Sequence, residues 1–264
     1  MSGHNRDILK RILNEWPHGT VALLPWFQKF GAYRQLIKRY EEGNWIKRIG
    51  RGAYVRQNDD VDWTGGLYAV QFQQNIPVFV GGKTALELKG YGHNIPMGKN
   101  RYVTILSSEK RKLPAWFQHA SWDVTIDYHI LNLFPENPTV ALTEKHIDQY
   151  KIKLSAQERA ILEIMALTPT YYSFEDAMHL MEGLMSPRIA LLQTLLEQCN
   201  SVKAKRLFFY LAELCSMSWV SDIDISKIEF GKGTRSLCKD GKHISKYDIT
   251  VPKNLYGDSP EEIP

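Results

Sequence analysis

Through the first forty residues apolar side chains recur at helical spacing, and after that the period drops to two. Ile8, Leu9, Ile12 and Leu13 follow the i, i+1, i+4, i+5 rhythm of one buried stripe, with Asn5 placed to cap the helix. Trp16-Pro17-His18-Gly19 stops it, because proline cannot supply the next backbone donor. Thr20-Val21-Ala22 predicts a short extended piece leading to a second helix near Leu24–Phe30, with Pro25 tolerated in its first turn. Gly31 breaks the pattern. A third helix over Ala32–Glu42 places Tyr33, Leu36, Ile37 and Tyr40 inward at i, i+3, i+4, i+7. Two helices joined by a glycine-bearing turn outline a helix-turn-helix. Next, Trp45–Ile49 and Ala53–Val55 predict two strands around Gly50-Arg51-Gly52, whose glycines permit the positive φ of a tight hairpin. The product is a winged helix-turn-helix with Arg51 at the wing tip, flanked by Arg48 and Arg56.

Beyond the polar linker Gln57–Asp60, a helix is expected over 61–74. PVFVGG then reads as a buried strand, TALELKG as a helix and RYVTILSS as a strand. In DVTIDYHILNL, Val124, Ile126, Tyr128 and Ile130 alternate strictly, which predicts a further strand. From Ser155 the period becomes helical. Ser155 and Glu158 have capping-box spacing ahead of Ile161, Leu162 and Met165. SFEDAMHLMEGL and SPRIALLQTLLEQC open on their own serines, the latter with Pro187 at its first position. A fourth helix, about 202–217, buries Leu207, Phe208, Leu211 and Leu214. Short strands around Gly231-Lys232-Gly233 and Asp240-Gly241-Lys242, including Ile228–Phe230 and Tyr247–Val251, precede a polar acidic tail. The expected class is α+β, with a winged helix-turn-helix over 1–58, a mixed α/β segment over 59–150 and a mainly helical region over 151–264 that ends in short strands.

Charge adds a function class to this outline. Residues 1–58 hold 11 Lys/Arg against 4 Asp/Glu, a net +7, and the rest of the 264-residue chain is left at −3. A basic head on a near-neutral body suits a polyanion. With the apolar stripe of the third helix inward, Arg34 with Lys38 and Gln35 with Arg39 form i, i+4 pairs facing outward. Like charges at that spacing repel by a few tenths of a kcal/mol, which bound phosphate would relieve. Arg and Gln also make bidentate contacts with guanine and adenine in a major groove. Arg48 and Arg51 on the wing suit the backbone or a narrow minor groove. The bland alternative is a winged helix that only docks protein, and it accounts for these six residues less well.

Other classes are disfavoured. Apolar residues make up 44% of the chain and charged residues 23%, as in an ordinary globular protein. No stretch approaches the roughly 18 apolar residues of a membrane span, and charges interrupt the N-terminal segment where a signal peptide would be continuous. A cytoplasmic protein is expected. The three cysteines lie too far apart for a metal knuckle, and no metal or cofactor is expected. Gly81-Gly82-Lys83-Thr84 between strand and helix suggests a phosphate loop, but the glycine that motif needs is replaced by Pro77. His119, His129, His146 and His179 each sit in an ordinary periodic segment. No HExxH, nucleophile elbow or paired-carboxylate motif appears, so an enzyme is not expected. Lys203, Lys205 and Arg206 stand at a helix start, where cations oppose the macrodipole by roughly 0.3–1 kcal/mol each. They read equally as a solvated face or as a contact surface for nucleic acid or a protein partner.

The helix-turn-helix followed by GNWIKRIGRGAY, then VFVGGKTALELKGYGH and RYVTIL, resembles the AbiEi-type antitoxins of type IV abortive-infection toxin–antitoxin systems. SVKAKRLFFYLAE, IEFGKGTRSL and ISKYDITVP resemble the C-terminal half of that family. The resemblance implies a repressor of its own operon that binds double-stranded operator DNA. It further implies that the C-terminal portion counteracts a nucleotidyltransferase-type toxin, either directly or as a functional partner. An antitoxin that acts mainly by binding its toxin is the alternative. Composition and spacing argue only for the DNA.

Overall fold

The computed structural model describes residues 3–91 and 101–255. These fall into two compact units, described in turn: one of residues 3–80, 101–130 and 143–154, the other of 81–91, 131–142 and 155–255. The acidic tail expected past Val251 lies mostly outside the described residues.

The first unit opens with α1 (Gly3–Glu15), β1 (Ala22–Leu23), α2 (Leu24–Gln28) and α3 (Arg34–Glu42), followed by β2 (Ile46–Gly50) and β3 (Ala53–Arg56). The strands form an antiparallel sheet in the order β1-β3-β2, which makes the three helices and hairpin a winged helix-turn-helix. Its core is the predicted one. Ile8, Leu9, Ile12, Leu36, Ile37 and Tyr40 pack with Trp16, Phe27 and Ile46, and burial of each such side chain contributes roughly 1.5–3 kcal/mol. Gly31 turns α2 into α3 at φ +82°, a conformation costly for any side-chain-bearing residue.

Three local expectations change. Asn5 lies inside α1, not at its cap, and its carbonyl accepts the Tyr40 hydroxyl at 2.9 Å. Burial, with a smaller contribution from Tyr33, pushes that hydroxyl up to about 12. Tyr33 precedes α3 in extended conformation and is 48% exposed, since the helix begins at Arg34, two residues later than expected. At the wing, only Gly52 takes a positive φ; Gly50 instead sits where the strand register shifts, against Trp116.

The same unit holds a five-stranded mixed sheet in the order β6-β5-β4-β8-β7: β4 (Val78–Val80), β5 (Tyr102–Ser107), β6 (Thr125–Ile130), β7 (Leu142–Ile147) and β8 (Tyr150–Ser155). The helix expected over 61–74 is α4 (Trp63–Tyr68), which widens into a π-helical turn at Ala69–Gln73. That turn carries two glutamines with structural roles. Gln71 donates to Val78 and Lys153 carbonyls and accepts from Lys153 N–H, stitching β4 to β8. Gln73 accepts from Leu23 N–H and donates to Val21 carbonyl, tying the winged helix to the same turn. In β6 the alternation does not mark a buried face: Ile130 is half-exposed and His129 is the buried position. A helix absent from the sequence reading, α6 (Ala115–His119), packs on β2.

The second unit contains α5 (Gly82–Leu88), α7 (Gln157–Leu167), α8 (Phe174–Glu182), α9 (Ile189–Gln198) and α10 (Val202–Leu214), and a small sheet in the order β10-β11-β9. Its strands are β9 (Arg235–Ser236), β10 (Lys242–Ile244) and β11 (Ile249–Val251). Ile228–Phe230, expected as a strand, has no regular structure. Ser173 caps α8 as predicted, accepting from Asp176 N–H. The capping box at Ser155 does not form. Ser155 donates instead to the Glu163 carboxylate, and Glu158 binds Arg188, whose own N–H it accepts at the start of α9. Ser186 accordingly does not cap α9. A buried carboxylate in need of donors outweighs a surface cap.

Candidate nucleic-acid interface

The winged helix positions its cations through packing behind them. Because Leu36, Ile37 and Tyr40 are buried to 1% exposure or less, the helical period turns Arg34, Gln35, Lys38 and Arg39 to solvent, and all four are exposed. Lys38 makes one exposed ion pair, to Glu42 at 3.7 Å, a geometry worth little in water. Arg48 and Arg51 are likewise exposed, and Arg48 Nε donates to the Gly50 carbonyl at 3.0 Å, which holds it along the wing. Helix and wing meet at Tyr54, paired across the strands with Arg48. Burial raises the Tyr54 hydroxyl above its ordinary value; Arg48 and Arg34 pull it down, and Glu41 pushes it up. The structure thus brings α3 and the wing around one tyrosine.

Arg56, expected beside the wing tip, is elsewhere. Its guanidinium caps the end of α1 through the carbonyls of Leu13 and Trp16, lies over the Trp16 ring and faces His18 and Asp59. Burial lowers its pKa, with Asp59 opposing. It braces the wing and is not part of the exposed set. Sequence reasoning missed Tyr33 and Lys47, both exposed on this part of the molecule. For Lys47 the signal was available, since it neighbours Arg48 in the strand.

Two family models match the chain. One, described as a transcriptional regulator, AbiEi antitoxin N-terminal domain, matches residues 5–97; the other, described as a transcriptional regulator, AbiEi antitoxin, of a type IV toxin–antitoxin system, matches residues 100–252. The chain belongs to the AbiEi family. It is therefore an antitoxin and transcriptional regulator of a type IV system. Among solved structures, the crystal structure of the Rv2827c protein from Mycobacterium tuberculosis is similar in fold, with a TM-score of 0.61 at 14% identity, covering 94% of this chain and 91% of that one. Comparison with curated proteins found no match.

In this AbiEi-family chain the second cationic group, Lys203, Lys205 and Arg206, is turned inward, which corrects the expectation of a solvated or partner-facing surface. Lys203 Nζ donates to the carbonyls of Ala166 and Thr168 at 2.5 and 2.6 Å. Lys205 and Arg206 are each 4% exposed. The Arg206 guanidinium binds the carbonyls of Phe230, Gly231, Gly233 and Asp248 at 2.7–3.0 Å, and the Asp248 carboxylate at 3.4 Å. Desolvation lowers both lysines from their ordinary values. Of the charges that oppose the dipole of α10, Lys203 therefore holds carbonyls at the end of α7 and Arg206 collects loop carbonyls.

The glycine-rich turn before α5 is also filled from within. Gly82 takes φ +50° and its N–H donates to Glu163 Oε2 at 3.0 Å. Glu163 further accepts from Ser155 Oγ and from Arg159 Nε, the latter at 2.8 Å. A carboxylate of the chain occupies the place a phosphate would take in a nucleotide-binding loop. Among the described residues no group of three or more His, Cys, Asp or Glu could hold a metal, and no helix is long and apolar enough to cross a membrane.

Proposed function

We propose that the 1–58 winged helix-turn-helix binds operator DNA and represses the chain's own operon. In this reading α3 enters the major groove with Arg34, Gln35, Lys38 and Arg39, and Arg48 and Arg51 hold the adjacent backbone or minor groove. The observation that carries it is selective exposure. All six of these side chains face solvent, with Arg34 and Arg48 both near Tyr54, while Arg56, Lys205 and Arg206 are consumed by carbonyls or buried. A gel-shift titration with the duplex upstream of the gene tests it. Preference over a random duplex and a steep loss of affinity with salt are expected, because several phosphates are neutralised. Gln35→Ala should lose about 1–3 kcal/mol of discrimination at one base, and Arg51→Ala should weaken all duplexes alike. Equal affinity for unrelated sequences refutes specific repression.

The 151–264 region, in this reading, counteracts a nucleotidyltransferase-type toxin. A second form of the proposal has it bind that toxin directly, supported by large apolar side chains left exposed there: Met185 at 73%, Tyr171 at 56% and Ile225 at 49%. Co-purification with the toxin encoded beside it tests this form, and its absence would favour neutralisation without a stable complex.

A further inference from the structure

The loop between β5 and α6 carries Lys110-Arg111-Lys112, all exposed. Its backbone is held in place. Glu109 N–H donates to Ser107 Oγ at 3.2 Å, Arg111 N–H to the Glu109 carbonyl at 2.8 Å, and the Tyr128 hydroxyl to the Arg111 carbonyl at 2.5 Å. Leu113 is 4% exposed and anchors the loop's far end. Arg111 has an exposed pairing with Glu109 at 3.4 Å, whereas Lys110 and Lys112 have no ion-pair partner among the described residues. A pre-ordered loop that presents adjacent unneutralised cations has little conformational entropy left to lose on meeting an anion.

The packing of α6 fixes which end of the wing this loop adjoins. A Cβ built on Gly50 would come within 2.8 Å of Trp116 Cβ and 3.2 Å of Trp116 Cα, so the first turn of α6 lies against the wing tip. Past the other end of α6, Ala120, Ser121 and Trp122 border a groove that runs along Lys47–Ile49 to Arg56 and Gln57 at the base of the wing. The start of α6, and with it the loop that enters the helix, therefore lies on the side of the wing tip. Lys112 is four residues from Trp116, a reach of at most about 14 Å even if fully extended. A turn of duplex is about 34 Å, so Lys112 lies within one turn's length of a duplex that touches Arg51.

We propose that Lys110 and Lys112 form a second phosphate-binding element beside the wing, so that the duplex backbone is held between the wing tip and the β5–α6 loop. The proposal rests on the DNA-binding reading above. It makes the interface wider than the winged helix and places part of it more than fifty residues further along the chain.

The test is a fluorescence-anisotropy titration of the full chain on its upstream duplex and on a random duplex, from about 50 to 300 mM salt, with wild type, Lys110→Gln/Lys112→Gln and Arg34→Ala/Gln35→Ala. Loss of two phosphate contacts should reduce the slope of log affinity against log salt by about 2, and lower affinity for both duplexes about tenfold to thirtyfold near 0.15 M. Both lysines are exposed, so a thermal melt equal to wild type is the expected control. An unchanged slope and affinity in the lysine variant, with operator preference still lost in the α3 variant, overturns the loop and leaves the repressor reading standing. A wild type that does not prefer its upstream duplex overturns the repressor reading itself. A lysine variant that binds duplex normally but no longer co-purifies with the toxin also overturns the loop as a DNA element.

Discussion

Replacing Arg206 with methionine separates a structural cation from a recognition cation. The substitution keeps the aliphatic stem that packs in α10 and removes the charge that binds four carbonyls and the Asp248 carboxylate. A hydrogen bond to a charged group is worth about 1.5–3 kcal/mol, and removing one member of a fully buried ion pair costs roughly 3–5 kcal/mol. Neither figure transfers whole. Gly231 and Gly233 are exposed and their carbonyls can bind water once released, and the Asp248 side chain is 37% exposed. The expected destabilisation is therefore about 2–4 kcal/mol, a drop of roughly 5–15 °C for a unit of this size. Scanning calorimetry of the full chain measures it, and the unit containing α10 should melt earlier. Duplex affinity measured well below that transition should stay at the wild-type value, because Arg206 spends its donors inside the protein. A melting temperature within about 2 °C of wild type, together with a loss of duplex or toxin binding, would refute the structural assignment and restore Arg206 as a contact residue.

Other substitutions probe the same logic at different places. Gly50→Ala should cost about 1–3 kcal/mol by driving a methyl into Trp116 Cβ and Cα, and should weaken duplex binding by displacing the wing tip; equal stability would show that α6 can yield. Glu163→Gln removes the carboxylate that pairs at 2.8 Å with Arg159, which is 2% exposed, and about 3–5 kcal/mol should be lost in chemical denaturation; a near-neutral result would mean that other partners of Arg159, such as the Pro138 and Val140 carbonyls, suffice. Tyr40 is held protonated in the folded state up to about 12, against an ordinary 10, so its contribution is complete below pH 10 and lost as pH rises from there toward 12. That loss is roughly 2–3 kcal/mol, and Tyr40→Phe should flatten the alkaline limb of the stability profile; an unaltered limb would place the alkaline sensitivity on another group.

The stripe Leu36, Ile37 and Tyr40, the hairpin around Arg51 and the outward set Arg34, Gln35, Lys38 and Arg39 were all legible along the chain. Each depends on contacts within a few residues, where a period of 3.6 or 2 translates directly into a buried face. What could not be read depends on partners far away in sequence. β7 escaped notice because its alternation is weak; β8, whose Tyr150, Ile152 and Leu154 do alternate with Lys151 and Lys153, becomes an inner strand only through pairing Val80 with Leu154 and through the Gln71 amide. The serine-to-glutamate spacing at 155–158 reads as a cap until Glu163 and Arg188 claim those two side chains. The same reason reverses the meaning of Lys203, Lys205 and Arg206. A one-dimensional pattern counts their charge, but only the folded chain shows carbonyls some twenty-five to forty residues away converging on Arg206. Local order sets which face of an element is apolar. Long-range packing decides whether a polar group on the other face meets water, a partner or the protein itself, because a buried charge must find its donors and acceptors wherever the fold supplies them.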